Sequence, residues 1–161
     1  NKQISKWSNE IPRPTRGFCY TTGMPDDHVT KTIAVYDAIA TSYAQQTESY
    51  APEIERDTFV NFFQKGARIL DAGCGAGRDS FYFSSKGFDV VGVDLSEKLL
   101  GIAKAIAGHA QNPRFYQLDL RRLLLPKASF DGIWACASLL HLKRSEILGV
   151  LREFYELLRC V

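Results

Sequence analysis

The chain has 161 residues, of which 45% are hydrophobic and 24% are charged, and its formal net charge at pH 7 is +2. This length and composition are typical of one globular domain with a core of its own. The small net charge disfavours nucleic acid as a partner, and no segment approaches the ~20 apolar residues of a membrane span.

The first residues carry no regular apolar period. Pro12 and Pro14 favour extended chain there, and the segment lacks the apolar stretch of a secretory signal. Because regular patterning begins just after Met24, we expect residues 1–29 to form an N-terminal arm and residues 30–161 to form one domain. Residues 1–23 are interpreted as an appended arm or a lead-in of foreign origin.

Four cysteines are scattered along the chain without a C-x-x-C pair or any spacing typical of a metal site: Cys19, Cys74, Cys136 and Cys160. We therefore expect no bound metal. Unpaired, buried cysteines are typical of reduced compartments, so the sequence predicts a cytoplasmic protein.

Helical spacing dominates the region before residue 66. Apolar residues recur at helical intervals from Thr30, at Ile33, Tyr36, Ala40 and Tyr43. A second helix is predicted from Pro52, with Phe59, Phe62 and Phe63 on its apolar face and Gly66 at its C-terminal cap.

After residue 67, apolar runs alternate with helical patterns. Strands are predicted at 68–71, 89–93, 114–118 and 132–136, and helices from Arg78 to before Gly87, from the cap Ser96 to about Ala107, and at 145–159. This order predicts an α/β fold, a Rossmann-like parallel sheet with helices on both faces. Ligands of such sheets bind beyond the carboxyl ends of the strands.

A glycine-rich turn follows the first strand. Residues 71–77 read D-x-G-x-G-x-G, whereas a dinucleotide site needs G-x-G-x-x-G. Asp71 would repel a pyrophosphate but suits a ligand that carries an ammonium group. The alternative is an ordinary glycine-rich connection between a strand and a helix.

Two further carboxylates follow strands. Asp94 ends the second strand about 20 residues after the glycine turn, where an acid that binds ribose hydroxyls belongs. Asp119 follows the third strand and could accept a hydrogen bond from an adenine amino group, with Leu95 and Leu120 on either side of the ring. The alternatives are a solvated residue that caps the next helix for Asp94, and an exposed loop residue for Asp119.

The fourth strand leads into a run that faces the same cleft. Backbone carbonyls near Ala135 and Cys136 could receive an ammonium group. His141 is a candidate general base because its side chain titrates near neutrality, but it could equally be a structural histidine.

Taken together, residues 33–158 resemble a small class I S-adenosylmethionine (SAM)-dependent methyltransferase of the ubiquinone-biosynthesis-like group. The resemblance is carried by residues 36–43 (YDAIATSY), 69–77 (ILDAGCGAG), 91–96 (VGVDLS), Asp119-Leu120 and 130–141. It implies SAM as cofactor and S-adenosylhomocysteine (SAH) as product.

The resemblance also implies roles for individual residues. Gly73, Cys74 and Gly75 would lie against the methionyl part of SAM, Asp94 would hold the ribose, and Asp119 with Leu120 would frame the adenine. The backbone after the fourth strand would close over the amino acid end. Tyr36 and Tyr43 would form part of a lid. Arg78 would lie at the mouth of the site, where it could meet the SAM carboxylate or the substrate.

The family fold implies seven strands, but the sequence supplies only four. We therefore expect a C-terminally truncated version of the fold, with the fourth strand as an exposed edge. A fragment, an edge supplied by another chain, or the N-terminal arm folded across it would each explain this. The first two are favoured, and a homodimer that covers the edge belongs to the second.

The predicted function is methyl transfer from SAM to a small-molecule acceptor whose identity the sequence does not reveal. Such a reaction depends on orienting the reactants and needs neither a metal nor a nucleophilic triad. The alternatives are a non-catalytic fragment of the SAM fold that serves in binding or dimerisation, and a dinucleotide-binding oxidoreductase module.

Overall fold

The computed structural model describes residues 28–159, so the predicted arm up to residue 27, Cys19 and Cys160 lie outside the described residues. The elements are α1 (His28–Glu48), α2 (Glu53–Val60), β1 (Arg68–Ala72), α3 (Arg78–Ser85), β2 (Asp89–Asp94), α4 (Glu97–Ala107), β3 (Arg114–Gln117), β4 (Gly132–Trp134) and α5 (Arg144–Leu157). A 3-10 turn, Leu139–His141, connects β4 to α5. Within this part of the chain, no helix has the length and apolar character needed to span a membrane.

The four strands form one parallel sheet in the order β3-β2-β1-β4. This confirms the predicted α/β class. β1 is buried along its whole length, as expected for a central strand covered on both faces. The order changes direction between β1 and β4, and a parallel sheet opens a crevice for ligands at such a point.

Alternate side chains of the central strands point to opposite faces of the sheet and pack into separate clusters. Leu70 and Val91 face a core that includes Val150 and Phe154 of α5. The other face has two clusters, one around Phe83 of α3 and the other around Leu100 of α4. The predicted placement of helices on both sides of the sheet is therefore confirmed.

The prediction for the second helix was partly wrong. α2 ends at Val60, so Phe62 and Phe63 lie in the following turn, and Phe62 is 76% exposed. Phe63 packs so closely over β4 that a Cβ placed on Gly132 would lie 2.5 Å from its ring. Gly66 does not cap α2; its N–H donates to the carbonyl of Gly87 at the entry to β1.

The edges of several other elements differ slightly from prediction. α1 begins at His28 rather than Thr30, and β1 and β2 each run one residue longer, to Ala72 and Asp94. β3 ends at Gln117, one residue early, and α5 runs from Arg144 to Leu157 rather than over 145–159. β4 ends at Trp134 rather than Cys136 because the chain turns there, with Ala137 in the left-handed region at φ +55°. Ser96 does cap α4, accepting the N–H of Leu99.

Among residues 28–159, β4 is one of the two edge strands of the sheet, and β3 is the other. Just before it, Phe130 forms an isolated parallel bridge with Leu158, and the N–H of Arg159 donates to the carbonyl of Phe130. The chain after α5 therefore begins to pair along the β4 side of the sheet.

Candidate functional site

A cleft that opens to solvent lies between α1 and the carboxyl ends of the strands. Ten residues predicted for the site line it: Tyr36, Tyr43, Gly73, Gly75, Asp94, Leu95, Asp119, Leu120, Cys136 and His141. The fold therefore brings together side chains that are more than 100 residues apart in sequence.

The glycine loop is held close to the turn that follows β4. Gly73 has φ +85°, and a Cβ at this position would lie 2.2 Å from the Cβ of Ser138. Ser138 in turn donates its hydroxyl to the carbonyl of Ala72 at 2.6 Å. Only glycine fits this position, because both its conformation and its neighbour exclude a side chain.

Asp94 connects the glycine loop to the start of α4. Its Oδ2 accepts the N–H of Gly75 at 2.9 Å, and its Oδ1 accepts the N–H of Ser96 at 2.9 Å. Burial raises the pKa of this carboxyl group, and backbone hydrogen bonds from Ser96, Gly75 and Leu95 partly offset the rise. Because a carboxylate has about four lone-pair sites, acceptor capacity remains for a ligand hydroxyl.

Asp119 is already engaged in an ion pair. The guanidinium of Arg121 donates to both of its oxygens at 2.6–3.0 Å, and Arg121 also lies 3.4 Å from Glu146. An adenine amino group would therefore share Asp119 with Arg121. Leu120, the next residue after Asp119, lines the cleft and also packs in the core on the α5 side of the sheet.

The helix α1 places two tyrosines over the cleft. The rings of Tyr36 and Tyr43 meet edge to face with centroids 4.9 Å apart. A hydrogen bond joins Tyr36 Oη to His141 Nε2 (3.1 Å), and His28 Nε2 donates to the backbone carbonyl of His141 (3.1 Å). Burial, with Tyr36 adding to it, raises the pKa of Tyr43, so its hydroxyl remains a neutral hydrogen-bonding group.

Asp71 lies behind the cleft wall, at the end of β1. It is 2% exposed, and its Oδ2 accepts the hydroxyl of Ser80 at 2.6 Å. Burial raises its pKa to about 7, although the Ser80 hydrogen bond lowers it. Asp71 is therefore not a lining residue, and its predicted effect on an ammonium group stays a prediction.

Arg78 does not line the cleft either. Its Nε and Nη2 donate to the two oxygens of Asp79 at 2.8 Å, and its Nη1 donates to the carbonyl of Thr47 at 3.0 Å. Asp79 is buried and also bonds Arg56 and the indole N–H of Trp134. Arg78 thus ties the end of α1 to α3 instead of projecting toward a ligand carboxylate.

Cys74 and Ala135 also lie outside the cleft lining. The Cys74 thiol is packed in the cluster around Leu100, and burial raises its pKa well above the usual value. Ala135 packs against the core on the α5 side of the sheet. Cys74 and Cys136 are both free thiols, and residues 28–159 contain no His, Cys, Asp and Glu cluster able to hold a metal.

Eight further residues line the cleft that sequence reasoning did not single out for the site: Val29, Thr32, Ile33, Leu99, Leu118, Ala137, Ser138 and Leu142. Those on α1 share a helical face with Tyr36, so their spacing of three and four residues was an available signal. No sequence signal marks Ser138, because its place in the site depends on its contact with Gly73.

The described lining carries two carboxylates, of Asp94 and Asp119, and no lysine or arginine. Most of the remaining wall is apolar. Such a cleft suits a ligand with hydroxyl and ammonium donors and a flat apolar ring.

We expect Gly73→Ala to lower the free energy of unfolding by at least about 2 kcal/mol, because the methyl group collides with Ser138 in a strained conformation. Gly101→Ala is the matched control. Gly101 lies in α4 with open space around it, so alanine should stabilise the helix by roughly 0.5–1 kcal/mol. Chemical denaturation measures both, and equal effects would contradict the close approach.

Because the pKa of Asp71 is raised, we expect the free energy of unfolding to depend on pH. Between its ordinary pKa of 3.8 and the folded value of about 7, the folded chain holds a proton that the unfolded chain has lost. The contribution of Asp71 to the free energy of unfolding therefore falls as the pH rises through that window, by about 3–5 kcal/mol in total. Above the window this contribution is constant.

Asp71→Asn should remove that dependence, so the variant gains stability relative to the parent chain as the pH rises from 5 to 8. Ser80→Ala should shift the window upward, because the carboxylate loses its hydroxyl donor. Denaturation across this pH range measures both variants. Parallel profiles for the parent and Asp71→Asn would show that Asp71 is ionised throughout.

Comparison with known proteins places this geometry in a family. Residues 69–160 match the family described as methyltransferase domain. YqeM of Bacillus subtilis (strain 168), named as a methyltransferase, is 31% identical over 129 residues that cover 78% of this chain. An S-adenosyl-L-methionine-dependent Diels-Alderase of Talaromyces variabilis is 34% identical over 99 residues, which cover 58% of this chain and 33% of that enzyme.

Solved structures agree. A TehB-like SAM-dependent methyltransferase from Corynebacterium glutamicum has 29% identity and a TM-score of 0.63, covering 75% of this chain and 67% of its own. The chain spans about half the length of YqeM, 51%. On its matched residues, its parallel sheet and its cleft, this chain belongs to the class I SAM-dependent methyltransferase family.

Proposed function

We propose that the chain binds SAM in the cleft under α1 and transfers its methyl group to a small-molecule acceptor. The observation that carries this proposal is Asp94, whose carboxylate is held by two backbone N–H groups at the cleft floor with acceptor capacity left over. The two ribose hydroxyls of SAM are donors suited to that capacity.

The rest of the cleft fits the other parts of SAM. Leu95 and Leu120 offer apolar surface for the adenine, and Asp119 offers an oxygen to its amino group. The glycine loop brings backbone close to the methionyl part. The glycine spacing of the loop, D-x-G-x-G-x-G rather than G-x-G-x-x-G, favours SAM over NAD, the alternative considered from sequence.

SAM, when bound, supplies a methyl group on a positively charged sulfur; an acceptor lone pair bonds to that carbon while the C–S electron pair stays on sulfur. The chain's contribution is to orient the reactants and exclude water, which can supply ~7–11 kcal/mol of the barrier reduction. Tyr36 and Tyr43 cover the cleft from α1.

His141 takes the acceptor's proton when the acceptor must lose one. Its Nε2 lies at the cleft, 3.1 Å from Tyr36 Oη, and His28 holds its backbone carbonyl. Val29, Ile33 and Leu142 line the same part of the cleft. An acceptor with apolar surface and a neutral hydroxyl or amine group suits this wall.

Two further expectations concern context. The outer side of β4 is the surface where a homodimer or a further segment would pair, as the Phe130–Leu158 bridge begins to do. A cytoplasmic location and the absence of nucleic acid partners stay predictions from composition.

Calorimetric titration of the 161-residue chain with SAH and with NAD tests the proposal. We expect SAH to bind and NAD to give no signal. Asp94→Ala should weaken SAH binding by about 100-fold or more, because two hydrogen bonds to a charged group are lost at about 1.5–3 kcal/mol each.

Glu97→Gln is the control for that variant. Glu97 is an exposed acid three residues further along, outside the cleft lining, so its neutralisation should leave SAH affinity unchanged. SAH binding that is insensitive to Asp94→Ala, or NAD binding of similar strength, would contradict the proposal.

A further inference from the structure

The start of α4 is capped twice, once by its own residue and once from α1. Ser96 accepts the N–H of Leu99 at 3.1 Å, which satisfies the usual need for an N-cap. Asp37, 59 residues earlier in α1, accepts both the Ser96 hydroxyl and, at 3.3 Å, the N–H of Lys98. The Ser96 side chain satisfies one of the backbone N–H groups that a helix start leaves unpaired, and Asp37 satisfies a second one from another helix.

Ser96 is fixed on three sides. Its hydroxyl donates to Asp37 and accepts from Leu99, while its backbone N–H donates to Asp94 Oδ1 at 2.9 Å. Ser96 is fully buried, whereas Asp37 and Asp94 are each partly exposed. An unbroken chain of hydrogen bonds therefore runs from α1 through Ser96 to the carboxylate of Asp94.

Asp37 also sets how α1 sits over the cleft. Its neighbour in sequence, Tyr36, lines the cleft and bonds His141, whereas Asp37 is attached to α4. Only Val29 and Ala40 of α1 are fully buried, so polar contacts contribute much of its attachment. Arg78 and His28 attach α1 at other points, and Asp37 is the attachment that reaches Ser96, whose N–H holds the acid at the cleft floor.

We propose that Asp37 is a positioning residue for the ribose of the cofactor, acting through Ser96 on the carboxylate of Asp94. This inference rests on the proposed function, which assigns the ribose to Asp94. The inference adds that the position of α1 and the orientation of the Asp94 carboxylate are coupled. A negative charge at the N-terminus of α4 is favourable to the helix, so the link does not compete with helix stability.

The test compares two ligands, SAH and its analogue that lacks both ribose hydroxyls. Asp37→Ala should weaken SAH by about tenfold and the analogue by much less, because the analogue has no hydroxyl for Asp94 to bind. Asp37→Asn should restore SAH affinity, because an amide oxygen still accepts both hydrogen bonds. Calorimetry of the full chain measures the affinities of the parent and of both variants for the two ligands.

Glu153→Ala is the matched control. Glu153 is an acid on α5 that accepts the backbone N–H of Leu123 at 2.8 Å, away from the cleft lining. It should change the affinity for neither ligand. If Asp37→Ala weakens both ligands equally, Asp37 acts only on α1, and the inference is overturned; no effect on either ligand overturns it as well.

Ser96→Ala provides a second route if Asp37→Ala does not fold. It breaks the same link from the other side, so it should show the same dependence on the ribose hydroxyls. Adding Asp37→Ala to the Ser96→Ala variant should weaken SAH binding no further. A parent chain that fails to bind SAH would overturn the proposed function, whereas SAH binding without this coupling overturns only the role of Asp37.

Discussion

The site depends on one carboxylate that joins three pieces of backbone. Asp94 ends β2 and accepts N–H groups from Gly75 in the glycine loop and from Ser96 at the start of α4. The loop also donates the N–H groups of Gly73 and Cys74 to the carbonyl of Val93, and Asp94 adds the link to the start of α4. In the proposed function, the same carboxylate also binds the ribose.

The chemistry of the cleft follows from what surrounds that carboxylate. The described lining offers acceptors and apolar surface, with Asp119 partly neutralised by Arg121. Asp71, close to the loop but buried behind it, holds its proton up to about pH 7 because burial raises its pKa. A cationic, hydroxyl-bearing ligand therefore meets a wall whose negative charge is concentrated at Asp94.

Sequence reasoning predicted the fold and most of the cleft because these depend on local signals. Apolar runs ending in acids marked β1 and β2, and the glycine spacing marked the loop between β1 and α3. Side chains whose partners are distant in sequence were harder. Arg78 looked free to meet a ligand, but the carbonyls of Thr47 and Tyr50, about 30 residues earlier, hold its guanidinium together with the adjacent Asp79.

The errors have the same physical origin. Phe62 and Phe63 have helical spacing, yet Phe63 packs over Gly132 of β4, and that tertiary contact decides where α2 stops. Ser138 carries no motif at all, although its contact with Gly73 shapes the loop. Propensity and spacing describe a segment alone, whereas these positions are decided by a strand that arrives more than 60 residues later.

The most direct test of the ribose site at Asp94 is an experimental structure of the chain bound to SAH. We expect both ribose hydroxyls to lie within hydrogen-bond distance, about 2.5–3.0 Å, of the Asp94 carboxylate, and the adenine to lie between Leu95 and Leu120. A structure in which SAH lies elsewhere, or in which Asp94 contacts only backbone while the ribose faces solvent, would contradict it.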